Sequence, residues 1–438
     1  MNRIETAPRA RRAMAVLSLA AMVGGCDSLL EVDRPGLITE EQVKREALAA
    51  ALVAAAEGEY HVAFNWVANS GAAASDEAIF SHVWSPWDDF DERDVVASSG
   101  AHDGIGYGWM QRARVTGVRS ASQLMEVEAA DSSIARALNA AGYSTLLLAD
   151  YLCAVPLNGG AALTRAQAYD SAIALFTRAL AHAGSKRDIS DLASVGIARA
   201  YLNKNELGQA INFARQVRPE FQAWVSFVPS LLFDDWQQKY NLYHRTSGFI
   251  SPTEFSLGLD PGMWAARRDR RVPFEADSTR RMFSSSPYPR HAYVPFIPYS
   301  FEGWTPDNRS LIPAGADIRY ASGLEAQYII AEASLFGGAG GWTQAQVREF
   351  IDARRAVGGH GPYTGTDLAA ELREQRMMDF YFAGYRVPDL IRYKQFRQVD
   401  LWPKGKIGGY PADAPYTYGT TECWPIGQSE LSTNPNLP

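Results

Sequence analysis

Most of the chain repeats its apolar residues every three to four positions, which is the spacing of an amphipathic α-helix. Thr39, Thr164 and Asp191 stand at the starts of such stretches, where their side-chain oxygens can accept hydrogen bonds from first-turn amides. Pro156 ends one stretch, because proline cannot continue a helix. The pattern predicts helices over 41–67, 109–128, 132–152, 165–183, 192–202, 206–217, 324–336 and 343–357.

The predicted helices carry small residues at matching places. Ala172, Phe176 and Ala179 lie on one helix face, and alanines recur at corresponding places two segments later. Small side chains let paired helices approach closely, and large aromatic side chains fill the grooves between them, as in tetratricopeptide (TPR) arrays. We therefore expect a mainly α fold, in which TPR-like helix pairs form a body from residues 39–220 and 320–400.

Residues 221–319 differ from the rest of the chain in composition. They hold 10 of the 23 prolines and 18 of the 50 aromatic residues. The last 38 residues, 401–438, hold another six prolines. Such stretches form short helices, turns and small hairpins. Because the helical pattern resumes near Tyr320, we expect 221–319 and 401–438 to form a loop-rich, aromatic- and Pro-rich subdomain that is inserted into the helical body.

The first residues have the pattern of an export signal. Four arginines precede an apolar run of 11 residues, 13–23, which is too short to span a bilayer. Small residues then lead directly to Cys26, as in a bacterial lipobox, where the cysteine is acylated and becomes the mature N-terminus. We expect 1–25 to be a lipoprotein signal peptide and 26–38 to be a tether whose acyl chains hold it in the bilayer. An ordinary signal peptide with a coincidental cysteine is the alternative.

Composition and charge exclude several classes of protein. Hydrophobic residues make up 47% and charged residues 21%, which excludes wholesale disorder. The formal net charge is −7, and removal of residues 1–25 takes away four arginines and one glutamate, which lowers it to −10. An acidic chain argues against nucleic acid as a partner, because phosphate binding needs clustered Lys and Arg. The run 13–23 is the one apolar run long enough to consider as a membrane element, which excludes a polytopic membrane protein.

Recognisable catalytic and metal-binding motifs are absent from the sequence. No two of the seven histidines lie within five residues of each other, so the short-range His pair of zinc hydrolases is missing. No Gly-x-Ser-x-Gly nucleophile elbow occurs. The acidic run 88–94 lacks the glycine of an EF-hand calcium loop, and we expect it to be a solvated loop. We therefore predict no catalytic residue, no metal and no cofactor, and a protein that is not an enzyme.

Two cysteines remain besides Cys26. An exported protein meets an oxidising compartment, where an even pair of cysteines commonly forms a disulfide. We therefore predict a bridge between Cys153 and Cys423. Two buried free thiols are the alternative.

Aromatic residues in the predicted loops are the candidates for ligand contact. Rings on loops can stack on the faces of sugars or of other flat ligands, while neighbouring polar groups bind hydroxyls. The alternative is that each ring fills the core of the aromatic-rich subdomain. The candidates are Trp84, Trp87, Trp264 and Trp304.

Four segments together resemble one protein family. The first is the opening from Cys26 to Gly36, and the second is the set of TPR-like helices. The third and most specific runs over 372–393, and the fourth is the closing segment over 424–437. Through them the whole mature chain resembles the SusD/RagB family of nutrient-uptake lipoproteins. The third segment contains Arg376, Asp379, Gly384, Arg386 and Asp389.

These five residues are expected to be structural. Arg376 and Asp379 are three positions apart on a predicted helix and can pair. Gly384 suits a helix C-terminus, because glycine readily adopts the left-handed conformation found there. Arg386 and Asp389 are expected to tie the following turn back to the helical body.

The resemblance implies a lipid-anchored receptor at the outer-membrane cell surface. Such a receptor would capture an oligosaccharide or a peptide and pass it to a TonB-dependent, SusC-like barrel transporter beneath it. Its TPR-like helices would face the transporter, and its irregular loops would face the ligand. Two other classes stay open: a TPR-like envelope scaffold without a solute ligand, and a surface glycoside hydrolase, whose paired carboxylates cannot be recognised by spacing alone.

Overall fold

The computed structural model describes residues 40–81, 88–227, 256–258, 267–275, 281–282, 290–291, 294–408 and 410–437. The chain divides into two units, residues 1–47 and residues 48–438. Cys26 and Thr39 lie outside the described residues. The helices of the described ranges are α1 (Glu40–Ala74), α2 (Asp88–Asp91), α3 (Gly108–Glu126), α4 (Asp131–Tyr151), α5 (Arg165–His182), α6 (Arg187–Asn203), α7 (Leu207–Ala214), α8 (Gly323–Leu335), α9 (Gln344–Gly358), α10 (Leu368–Asp379), α11 (Arg386–Arg397) and α12 (Gln428–Thr433), with a π-helical turn at Ala101–Tyr107.

Local capping fixes the start of α5 as predicted, but the start of α6 lies elsewhere. Thr164 accepts a hydrogen bond from the Gln167 backbone amide, and the Gln167 side chain accepts from the Thr164 amide, which completes a capping box. The prediction that Asp191 caps a helix is wrong, because α6 already begins at Arg187. The Asp191 carboxylate is buried inside α6 and pairs with Arg218 at 2.5 Å, so its charge is neutralised by an ion pair.

The helices form the predicted array of pairs. Each of α3, α4, α5 and α6 packs against the next helix along the chain. α7 also packs against α8, although the stretch 221–319 separates these two helices in sequence. Small residues make the close approaches: a Cβ added at Gly142 of α4 or at Gly196 of α6 would lie 2.5 Å or 2.6 Å from the Phe176 ring of α5. The mainly α fold with paired helices is therefore confirmed.

Every sheet in the described ranges is a two-stranded antiparallel ribbon. The longest ribbon pairs Gln222 with Ser322 and Val225 with Ile318, so it brings the two ends of the stretch 221–319 side by side. Residues 48–438 form one compact unit, and the division into a helical body and an irregular subdomain stays a prediction. The pairs are β1 (Ile79–Ser81) with β5 (Ser256–Gly258), β2 (Val155–Pro156) with β3 (Ala162–Leu163), β4 (Gln222–Val225) with β10 (Ile318–Ser322), β6 (Phe274–Glu275) with β9 (Val294–Pro295), and β7 (Arg281–Met282) with β8 (Arg290–His291).

The C-terminal segment is fastened to the end of α4. Cys153 and Cys423 form a disulfide with a Cα–Cα distance of 5.0 Å. Beside it the buried Trp424 ring lies 4.7 Å from the Tyr151 ring and 5.0 Å from the Phe90 ring, measured between centroids. The Trp424 amide also donates to the Tyr151 carbonyl at 2.7 Å. Aromatic packing, backbone hydrogen bonds and a covalent bond thus hold the same two segments together.

The acidic run 88–94 is not the solvated loop that its composition suggests. Its first four residues form α2, whose Phe90 and Asp91 side chains are buried. Arg93 is also buried and donates to the carbonyl of Pro403 at 2.6 Å. The run is partly buried because Phe90 packs against Trp424 and Arg93 binds the Pro403 carbonyl.

Candidate functional site

Three of the four tryptophans predicted to contact a ligand, Trp84, Trp87 and Trp264, lie outside the described residues. The fourth, Trp304, follows the left-handed Gly303 and is half-buried. Its indole N–H donates to the Arg270 carbonyl at 3.4 Å, and its ring meets the Tyr299 ring edge-on at 4.8 Å. The ring is thus held in one orientation, with part of its surface open to solvent, and ligand contact by Trp304 stays a prediction.

Two arginines lie over the Tyr299 ring that Trp304 contacts. The guanidinium groups of Arg319 and Arg354 lie 4.7 Å and 5.2 Å from the Tyr299 ring centroid. Cations over an aromatic face are attracted by the negative face of the ring. The Tyr299 ring therefore contacts the half-buried Trp304 as well as the two arginines.

The third of the family-like segments, 372–393, which we call the framework segment, forms buried ion pairs, but not the pair that its spacing suggests. Arg376 donates from Nε to Asp389 Oδ2 at 2.7 Å and does not pair with Asp379. Asp389 also accepts from Arg392, which in turn donates to Glu332 at 2.9 Å. The prediction of an Arg376–Asp379 pair is wrong, because Asp389 of α11 lies within hydrogen-bond distance of the arginine.

Asp379 is the centre of a second buried network. Its carboxylate accepts from Arg271 at 2.9 Å, from Arg354 at 2.7 and 2.8 Å, and from the Tyr328 hydroxyl at 2.6 Å. Burial alone would raise the pKa of Asp379, but the two guanidinium groups outweigh burial and hold the pKa below its ordinary value. Asp379 therefore stays ionised and pairs with two cations contributed by other parts of the chain.

Arg386 joins the framework segment to the turn that follows α1, and Gly384 joins it to the end of α4. Arg386 donates to both carboxylate oxygens of Asp76, at 2.6 and 2.5 Å. Gly384 has φ +74°, and its carbonyl accepts from the Tyr151 hydroxyl at 2.9 Å. It lies in the turn before α11 and not at the end of α10, which finishes at Asp379. The positive φ is the physical reason for a glycine at this position.

A pocket of about 370 Å³ opens where α1, α4 and α6 meet the β4–β10 ribbon. We call it the α4 pocket. Its aromatic wall is rigid, because the Tyr60 and Tyr320 rings lie 5.1 Å apart and both rings contact Tyr143. The residues that define it here are Tyr60, Asn139, Leu192, Phe221, Trp224 and Tyr320.

The carboxylates that line the α4 pocket are each paired with an arginine. Glu57 accepts two hydrogen bonds from Arg136, at 2.8 and 2.6 Å, in a bidentate pair. The exposed Asp188 is paired with Arg218. The Asn139 side chain is 2% exposed, and its Nδ2 donates to the Ile189 carbonyl at 3.1 Å. Within the described residues its Oδ1 has no hydrogen-bond partner.

His61 gives the α4 pocket a neutral imidazole. Its Nδ1 accepts from the Ser226 backbone amide at 3.4 Å, so Nε2 carries the proton in the neutral ring. Burial lowers the pKa of His61, against the opposing effects of Glu57 and Asp317. The ring is therefore uncharged at neutral pH and can donate from Nε2.

Sequence patterns did not point to the α4 pocket. Its residues come from α1, α4, α6, β4 and β10, and none of them belongs to a motif. One signal was present, since Trp224 lies in the aromatic-rich stretch 221–319, but it is one of many aromatic residues there.

No helix of the described ranges combines the length and apolarity that a membrane crossing requires. In the same ranges, His, Cys, Asp and Glu side chains form no group of three or more that could hold a metal ion.

Solved structures with the same architecture identify the fold. Surface glycan-binding protein A from Bacteroides uniformis is 13% identical, with a TM-score of 0.65, over 90% of this chain and 99% of that one. A SusD superfamily protein from Bacteroides vulgatus is 14% identical, with a TM-score of 0.63, over 90% and 99% of the two chains. Surface glycan-binding protein A from Bacteroides thetaiotaomicron, in complex with laminarihexaose, is 13% identical, with a TM-score of 0.63, over 89% and 98%.

No protein-family model and no curated protein matches the sequence. The similarity to solved structures nevertheless extends over nearly the whole chain. The protein has the fold of the SusD superfamily.

Proposed function

We propose that this protein is a cell-surface lipoprotein that binds an oligosaccharide and delivers it, uncut, to a TonB-dependent outer-membrane transporter. The observation that carries the proposal is the SusD-superfamily fold, which spans about 90% of this chain and 99% of a surface glycan-binding protein. The family resemblance of the sequence supports the same function. The lipobox at Cys26 supports anchoring in the outer membrane.

The loop tryptophans are the proposed ligand contacts. Trp304 supports this assignment, because its ring is held by Tyr299 and by a hydrogen bond while remaining half-exposed. A ring oriented before the ligand arrives loses little conformational freedom when a sugar stacks on it. Trp84, Trp87 and Trp264 are the other proposed contacts.

Native gels cast with single polysaccharides, including a β-glucan like the laminarihexaose of the Bacteroides thetaiotaomicron complex, test the proposal. We expect at least one polysaccharide to retard the protein, and Trp304→Ala to reduce the retardation. Trp342→Ala is the matched control, because Trp342 is also half-buried but packs against Phe350 of α9. Shortening of the bound glycan would indicate a hydrolase, and retention of a peptide mixture alone would indicate a peptide receptor.

Anchoring and delivery have separate tests. Cys26→Ser should release the protein from the membrane fraction, because acylation requires the thiol. The wild-type protein should co-purify with a barrel transporter encoded beside its gene. Membrane release together with loss of glycan uptake would support the full proposal, whereas transporter binding without any ligand would favour the scaffold function.

A further inference from the structure

The α4 pocket differs from the site of Trp304 in position and in chemistry. It is lined by three helices and a ribbon, and Trp304 is not among its lining residues. Its volume of about 370 Å³ lies at the lower end of ordinary ligand pockets, roughly 300–1,000 Å³. It can therefore hold one or two small rings but not a long chain.

The charges of the α4 pocket argue for a neutral ligand. Glu57 is engaged by Arg136 through two hydrogen bonds, and Asp188 is engaged by Arg218. His61 is uncharged at neutral pH for the reason given above. A charged ligand would find no unpaired counter-charge among the described lining residues, and it would also lose hydration on entering.

The polar groups of the α4 pocket argue for a ligand rich in hydroxyl groups. Asn139 lines the pocket, but its Oδ1 is buried and its Nδ2 is engaged by the Ile189 carbonyl, so the polar contacts must come from its neighbours. Gln222 offers an exposed amide that can both donate and accept, and His61 can donate from Nε2. A hydroxyl group suits both side chains, because it donates and accepts at once.

The aromatic wall argues for a ligand with flat apolar faces. Trp224 is half-buried on β4, and Tyr60 and Tyr320 are fixed against each other at 5.1 Å. Burial raises the pKa of Tyr60 and of Tyr320, so both hydroxyls stay protonated and neutral. Neutral rings beside neutral polar groups suit a sugar ring, which has C–H faces and a hydroxyl rim.

We propose that the α4 pocket is a binding site for a small neutral sugar of one or two rings, separate from the site of Trp304. The proposal does not depend on transporter delivery or on polysaccharide capture. It rests on Trp224, Gln222 and His61, which line a pocket whose charged groups are already paired.

Saturation-transfer NMR on the full-length mature protein tests it, with D-glucose, cellobiose and N-acetylglucosamine as neutral probes. D-glucuronate and D-glucosamine are the matched charged probes. We expect saturable binding of at least one neutral probe and weaker binding of its charged counterpart. Trp224→Ala should weaken binding by about tenfold or more, and Trp342→Ala should leave it unchanged.

Gln222→Ala is the second variant, because Gln222 is exposed and its truncation leaves the core intact. It should weaken the same probe by about threefold or more. The absence of saturable binding by all three neutral probes, equal binding of the charged probes, or full affinity in both variants would overturn the proposal. Retardation by polysaccharide should survive in Trp224→Ala and fall in Trp304→Ala, so failures of the two sites are distinguishable.

Discussion

Replacement of Asp379 by asparagine should unfold the protein at markedly lower denaturant concentration. Asp379 is 0% exposed and neutralises the buried Arg271 and the 12%-exposed side chain of Arg354. Removal of one partner of a buried ion pair costs about 3–5 kcal/mol, because the remaining charge is uncompensated. Arg271 keeps Asp269 at 2.6 Å, so we expect the lower end, about 3 kcal/mol.

Urea titration monitored by tryptophan fluorescence measures this loss. The matched control is Asp170→Asn, because Asp170 pairs with Lys204 at 2.6 Å but is 60% exposed. An exposed pair of this kind contributes less than about 1 kcal/mol. A loss below about 1 kcal/mol in Asp379→Asn, equal to that of the control, would show that the network does not stabilise the fold.

The pH dependence gives the same prediction a second test. The pKa of Asp379 is lowered in the folded protein, so its stabilisation is complete above the unfolded-state value of about 4 and is lost as the pH falls through the folded-state value. The difference between wild type and Asp379→Asn should therefore be constant from pH 5 to 8 and shrink below about pH 4. A difference that grows in acid contradicts the assignment.

Double-mutant cycles distinguish the observed partner from the one that spacing suggests. Arg354 and Asp379 share two hydrogen bonds and should couple by about 1 kcal/mol or more, whereas Arg376 and Asp379 should couple weakly. Arg376 should instead couple to Asp389. Strong coupling between Arg376 and Asp379 would refute the helix arrangement described here.

Three further predictions concern other parts of the fold. Glu77 is buried, and burial together with the neighbouring Asp76 raises its pKa to about 8. Because the carboxyl pKa is raised in the folded protein, the free energy of unfolding should fall as the pH rises from about 4.5 to 8, by up to about 1.4 kcal/mol per pH unit. Glu77→Gln should abolish this pH dependence in urea titrations. Gly142→Ala should destabilise the protein by about 1–3 kcal/mol, because the new Cβ would lie 2.5 Å from the Phe176 ring. Adding Phe176→Leu to this variant should recover part of the lost stability. Gly208→Ala is the control and should cost no stability, because the space around Gly208 is open. Thiol titration of the denatured, unreduced mature protein should find neither Cys153 nor Cys423 free, and two titratable thiols would refute the bridge. Cys423→Ser should lower the free energy of unfolding by about 2–5 kcal/mol.

Helix positions were predictable from the sequence because their causes are local. Apolar spacing marks the helix face over three or four residues, and Thr164 caps α5 through contacts no more than three positions away. The exception, Asp191, shows where local reasoning stops. An aspartate can serve either as a capping residue or as a buried ion-pair residue. For Asp191 only the approach of Arg218 decides between the two roles.

Charge pairing and the α4 pocket were decided by the tertiary structure alone. Arg376 and Asp379 are neighbours on α10, yet Arg376 pairs with Asp389, and Asp379 pairs with Arg271 and Arg354. The buried polar atoms must find partners, and packing determines which partners are within reach. The α4 pocket likewise joins residues of α1, α4, α6 and the β4–β10 ribbon, which are distant in sequence. Helical periodicity determines which face of each helix is buried, whereas the surfaces that meet there depend on how the helices pack.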